Sequence, residues 1–229
     1  MTEPVGTAPG RGNLARVLVL SAAVVATLLL GAAVGLLIQL PNSEDPATPA
    51  ADSVDVGFCQ DMAMHHLQAV QMANIAVEKT TDRNVRQFAF DVASTQLEQV
   101  GRMKGWLMLW AQPEQPRAGQ HMAWMSAGGG EHAHTTTGEA ASSGPMPGMA
   151  SSDELARLRS LSGTEADVYF LQLMLRHHQG GTAMVEYGAQ HAEQHAVRTL
   201  AESMLKSQSS EADYMRELLA QRGAAPLGG

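Results

Sequence analysis

The sequence predicts an all-α protein: a four-helix bundle made of two repeated helical hairpins, preceded by an N-terminal transmembrane helix. Three observations carry that prediction. The run from Val17 to Leu40, 24 residues, holds no charge. Beyond it, apolar residues recur at the spacing of helix faces, and no segment alternates as a half-buried strand does. Finally, the chain repeats itself. Laying His65-His66 over His177-His178 sets an offset of 112 residues, at which Asp55 meets Asp167, Phe58 meets Phe170, Gln60 meets Gln172, Met62 meets Met174 and Met72 meets Met184. The match continues without a gap, pairing Val85-Arg86 with Val197-Arg198, Ala89 with Ala201, Gln96 with Gln208 and Met103 with Met215.

The N-terminal run comes first in the chain. A helix of its length, at about 1.5 Å per residue, crosses a hydrocarbon core of about 30 Å with some tilt. Arg11 and Arg16 precede it, and Glu44 and Asp45 follow it. Positive residues stay on the cytoplasmic side, so residues 1–16 are expected inside and everything after the helix outside. The run is longer than a usual signal-peptide core, and no lipoprotein-type cysteine ends it. An uncleaved single-pass anchor at 17–40 is the reading; if the helix were cleaved, the remainder would be secreted or periplasmic.

Residues 41–53, "PNSEDPATPAADS", are rich in Pro, Ala and Ser and read as a spacer. The first hairpin is expected over 54–111, with helices near 54–77 and 82–110 and N-cap chemistry from Thr80, Thr81 and Asp82. Residues 112–152 are rich in Gly, Ser, Thr, Ala and Pro and longer than ordinary connections, so they read as a mobile linker. A short helix capped by Ser152 follows, and then the second hairpin, within 153–222. Its first helix is capped by Thr164 and its last stops at Gly223, leaving 223–229 as a tail. Neither hairpin can bury its apolar stripe alone, and together they make a bundle.

Composition narrows the function. A net charge of −8 argues against nucleic acid as a partner. One cysteine, Cys59, excludes an intramolecular disulfide; with Leu171 at the matching position of the second copy, it reads as a small buried residue. No Ser/His/Asp arrangement and no Gly-rich phosphate loop is present, so no enzyme activity is expected. A di-iron oxidase would need Glu-x-x-His motifs on paired helices, and no Glu stands three residues before any His.

What remains is 14 Met and 9 His. On a helix His65 shares a face with Phe58, Met62, Ala69, Met72 and Ala76, and His177 shares one with Phe170, Met174, Gly181, Met184 and Gly188. The first histidine of each copy is therefore expected to face the interior, and His66 and His178 to sit on its shoulder. Imidazole with thioether forms a donor set that suits copper, Cu(I) in particular, better than Mg, Ca or structural Zn. The plainer reading is that Met fills the core and each histidine is hydrogen-bonded, with Asp61, Gln60 or Gln172 as partners. His191 and His195 are spaced for a metal on a helix surface but fall at a turn, where solvated residues are expected. The linker adds "HMAWM", "EHAH" and "MPGM", which either collect metal or are inert.

With the duplicated Met-x-x-His-His hairpin in view, the chain resembles the bacterial ferritin-like domain-of-unknown-function family number three hundred and five. Its members include CopM-type periplasmic copper-binding proteins. The resemblance spans about Val54 to Leu219 and rests on "FCQDMAMHHLQAVQMANIA" and "FLQLMLRHHQGGTAMVEYGA" with "STQLEQVGRMKGWL" and "KSQSSEADYMREL". It implies metal ligation by Met62, His65, His66 and Met72 and by Met174, His177, His178 and Met184. The family's second helix reads Gln-x-x-Glu with a Met four residues on. Gln208, Glu211 and Met215 keep this, whereas Gln96, Gln99 and Met103 carry Gln in place of Glu. Two functions follow as alternatives: an extracytoplasmic, membrane-anchored copper-binding protein for buffering, delivery or resistance, or a metal-free structural or interaction bundle of the cell envelope.

Overall fold

The computed structural model describes residues 11–39, 48–117, 120–127 and 145–227, and they are helical with no strand among them. The chain divides into two compact units, Met1–Ala47 and Thr48–Gly229. In the first, α1 (Arg11–Gln39) contains Ala15–Ala32, the one stretch among the described residues long and apolar enough to cross a membrane. Its hydroxyls are satisfied within the helix, Ser21 donating to the Val17 carbonyl at 2.7 Å and Thr27 to that of Ala23 at 2.9 Å.

The second unit is the bundle. α2 (Val54–Lys79) and α3 (Arg83–Leu109) form one hairpin, and α6 (Gly163–His191) and α7 (His195–Gln221) the other. α2 and α6 meet at the centre, with α3 and α7 each packed on its own partner. The short α4 (Trp124–Ala127) and α5 (Ser152–Ser160) lie against α2.

Local chemistry sets the ends. Ser53 caps α2, and the Asp82 carboxylate accepts from the Asn84 and Val85 amides at 2.8 and 3.1 Å to cap α3. Two expected caps shift. α5 is capped by Ser151, not Ser152, because Ser151 and Glu154 close a reciprocal capping box. α6 begins at Gly163 with Ser162 in the cap position, two residues before the expected cap Thr164; Gly163 sits at φ 57°, which costs glycine nothing.

The two copies brace each other. Asp55 on α2 accepts the Glu193 and Gln194 amides at 3.0 and 2.9 Å, so the first copy holds the turn of the second. Its counterpart Asp167 on α6 lies beside Thr80 in the turn of the first. Within each turn the repeated arginine ties down carbonyls: Arg86 those of Val77 and Thr80, Arg198 those of Ala192 and Glu193.

The linker, expected to be mobile, is docked wherever it is described. Asp61 on α2 is fully buried and accepts three hydrogen bonds at 2.8 Å, from His121 Nδ1, the Met122 amide and Trp124 Nε1. Trp124 in turn lies over Gly57, where a Cβ would stand 2.3 Å from the indole. At the other end Gln68 exchanges two bonds with the Ala150 backbone. Gly148, at φ 80°, crosses Gly180 so closely that a side chain on either would strike backbone. The "EHAH" stretch, 131–134, lies outside the described residues.

Candidate metal centre

The core of the bundle is two apolar clusters, not one. On α2 the first takes residues 56–63 and the second 69–76; on α6 the order reverses, because the two helices run antiparallel. α3 and α7 show the same break. Between the clusters lies a polar layer: His65 and His66 from α2, Gln96 and Gln99 from α3, His177 and His178 from α6, Gln208 and Glu211 from α7. Each copy contributes four residues at the offset of 112, so the layer has pseudo-twofold symmetry.

All four histidines are buried, and the His65 and His177 rings meet across the twofold with centroids 3.7 Å apart and planes tilted by 34°. The expected interior places of His65 and His177 are observed. His66 and His178, expected on the shoulder, are as deeply buried, because α3 and α7 cover that flank. The expected hydrogen-bond partners are not the ones used. Asp61 holds the linker, Gln60 donates to the Pro113 carbonyl and Gln172 to that of Ala225. Instead Nε2 of His65 faces the Pro147 carbonyl at 3.1 Å, and that of His177 the His65 carbonyl at 3.0 Å. His66 Nε2 faces Gln99 Oε1 at 2.8 Å, and His178 Nε2 faces Glu211 Oε2 at 2.6 Å.

Each of those partners is an oxygen acceptor, so each Nε2 carries its proton and donates. On His65, His66 and His177, which burial keeps neutral, that fixes one tautomer and makes Nδ1 the acceptor nitrogen. Nδ1 of His65, His66 and His178 is buried with no hydrogen-bond partner, as are both side-chain polar atoms of Gln96. Five of the eight such atoms among the described residues thus fall in this one layer. An orphaned buried polar atom costs about 1–3 kcal/mol, so their concentration here needs a reason.

Burial keeps three of the rings, those of His65, His66 and His177, neutral. It pushes the His65 pKa down to about 4 against the pull of the Pro147 carbonyl, and His66 down to about 3, helped by the neighbouring His65. His177 falls well below the ordinary histidine value for the same reason, with His65 as its nearest repelling neighbour. A neutral imidazole with its second nitrogen held by an oxygen is the form that ligates metal.

Of the eight sequence-derived residues, the four histidines lie in this layer and the four methionines in the apolar clusters on either side of it. Met62 and Met184 lie in one apolar cluster with Met103, Met204 and Met146; Met72 and Met174 lie in the other with Met215. The two methionines of each copy are thus divided between the clusters, and each cluster takes one from either copy. No three His, Cys, Asp or Glu side chains among the described residues converge as a ligand group, so any site here relies on Met sulfur as well. Cys59 is buried and its thiol pKa is pushed up by burial, which makes it inert. His191 and His195 are exposed on either side of the turn and make no site.

Sequence reasoning did not give Gln99 and Glu211 as the partners of His66 and His178, or the Pro147 carbonyl as that of His65. The signal for the first two was available. In an antiparallel hairpin residues equidistant from the turn meet, and 66 and 99 are so placed, as are 62 and 103.

The family model described as "Domain of unknown function (DUF305)" matches residues 55–219, nearly the whole bundle. The chain belongs to the DUF305 family. A DUF305 protein from Streptomyces coelicolor is 40% identical over 79% of this chain and all of its own, with a TM-score of 0.69. A DUF305 fragment from Deinococcus radiodurans is 32% identical over 76% of this chain and 99% of its own, at 0.59. CopM in its Cu(I)-bound form is 21% identical over 73% of this chain and 96% of its own, at 0.52, a likeness of fold. No curated protein matches the chain.

Proposed function

We propose that this chain binds copper, Cu(I) in preference to Cu(II), as cargo in the central histidine layer, on the outer side of a membrane. It buffers or hands on the ion and catalyses nothing. The observation that carries this reading is the set of buried Nδ1 lone pairs without partners, on imidazoles whose Nε2–H is already held by oxygen. Met62, Met184, Met72 and Met174 in the clusters beside them add thioether sulfur, which favours a soft cation. CopM, which shares the fold, takes Cu(I) and Cu(II) in its own structures, and this supports the choice of metal. The apolar helix Ala15–Ala32 serves as anchor or export signal, and the charges around it favour an extracytoplasmic bundle.

A second reading has its own support. With no three-donor group preformed, the layer is also a way to fix the register of two hairpins by paired polar groups. Cu(I) competition against a chromogenic chelator separates the two. The comparison is the chain against a variant with His65, His66, His177 and His178 changed to Ala, both checked for helix content by circular dichroism. Copper held by the chain and lost by the folded variant supports the copper reading. Equal competition moves copper out of the layer, and no competition by either leaves the structural reading.

A further inference from the structure

α3 carries apolar residues on the side facing away from the core. Phe90, Leu97, Gly101, Gly105 and Met108 lie within about 40° of one line along the helix, opposite Val85, Val92 and Met103, with one polar residue among them, Ser94, whose hydroxyl turns back to the Phe90 carbonyl. Phe90 is 59% exposed, Leu97 54%, Met108 75% and the adjoining Leu109 77%. These are four of the six exposed large apolar side chains among the described residues of the bundle unit. A Cβ added at Gly101 or Gly105 would meet nothing within 4 Å among the described residues, so the middle of the stripe is an open notch.

The second copy shows that the hairpin does not need this. At the same register α7 carries Glu202, Ser209, Asp213, Glu217 and Ala220, all exposed. One fold, built twice, has a polar outer face in one copy and an apolar, notched one in the other. An apolar stripe left in water by a helix whose counterpart is polar marks a contact surface.

We propose that this face of α3 is a homodimer interface, in which a second copy of the chain packs its own α3 antiparallel about a twofold axis near residue 100. The face complements itself in that arrangement. Leu97 of each copy reaches the Gly101 notch of the other, and Phe90 meets Met108 and Leu109. Glu98 and Arg102, paired with each other within one chain and on the same flank of the stripe, come to face Arg102 and Glu98 of the second copy. Small residues at the crossing let the two backbones approach closely, and a self-complementary patch is what a twofold contact requires.

Disulfide trapping of the full chain in its membrane, with diamide as oxidant, tests this. Gly101→Cys places a thiol beside the axis, while Cys59 is buried and stays silent. The variant is expected to give a covalent dimer, and Asp213→Cys on the matching face of α7 is not. Adding Leu97→Glu should cut the trapped fraction by at least about tenfold, whereas adding Ser209→Glu should leave it unchanged. Both added positions are exposed, so the bundle folds in either case. Absence of trapping at Gly101→Cys overturns the proposal. So does equal trapping at Asp213→Cys, or trapping indifferent to Leu97→Glu.

Discussion

Mild acid should weaken this bundle far more than its surface charges would. His65, His66 and His177 are neutral in the folded state, with pKa values of about 4 and about 3 for the first two and well below ordinary for the third. In the unfolded chain each returns to about 6.5. Between those values the unfolded state binds more protons, so stability rises with pH: it is fully present above about 6.5 and lost as pH falls toward the folded values. At about pH 5 the unfolded chain gains about 2 kcal/mol from each protonation, or about 4 kcal/mol for His65 and His66, and His177 adds in the same direction. A domain of this size holds roughly 5–15 kcal/mol in all. Few other groups confuse the window. Glu154, held down to about 2 by Arg176, stays ionised throughout, and Asp167, pushed upward by burial, acts weakly in the opposite sense. Urea unfolding followed by circular dichroism at about pH 8 and about pH 5 gives the answer. A midpoint that hardly moves would show that the layer takes up protons without unfolding, and the neutral, prepared imidazoles would have to be abandoned.

Three substitutions test the surroundings of the layer. Gly180→Ala puts a Cβ 2.4 Å from the Pro147 and Gly148 backbone, which cannot yield; the segment should lift, with a loss of about 1–3 kcal/mol and faster hydrogen exchange at the Ala150 amide. Unchanged protection there would mean that the crossing is not what seats the segment. Gly188→Ala drives a methyl to 2.6 Å from the Phe58 ring and should cost about 1–3 kcal/mol, read as a lower Tm. Asp61→Leu, which copies Leu173 of the second hairpin, strands three donors and should raise protease cutting within 117–127 while leaving the bundle's helix content intact. Cutting at the parental rate would show that Trp124 docks by apolar contact alone.

How much could be read in advance depends on the kind of interaction. The duplication, the helices and the inward His65 and His177 follow from periodicity, which one strand of sequence displays in full. Caps moved by one residue from Ser152 to Ser151 and by two from Thr164 to Ser162, because several polar residues adjoin each start and only backbone geometry selects among them. The partners of the second histidines needed hairpin register, and the Pro147 carbonyl could not be read from residue identity at all. The docked linker did leave a trace: Asp61 is an acid in an apolar stripe where the other copy has Leu173. Such an acid has to find donors, and the nearest uncommitted ones were in the Trp and His of "HMAWM".

The duplication supplies a control inside one molecule. Positions equal in both copies and favourable to stability, such as Arg86 with Arg198, are explained by the fold, since each ties down a turn. The paired histidines of the layer are equal in both copies and unfavourable: they split the core and leave buried nitrogens without partners. A cost carried twice at the same place points to use, which is why the layer and not the linker is the candidate site. Positions that differ between the copies carry what the shared fold does not require. Gln99 against Glu211 makes one histidine pair neutral and gives the other an acid partner, so the two halves of the layer need not bind a cation alike. Glu211→Gln would restore their equality. The copper affinities of the two halves should then converge in a chelator titration, and an unchanged titration would mean that the acid serves only to orient His178.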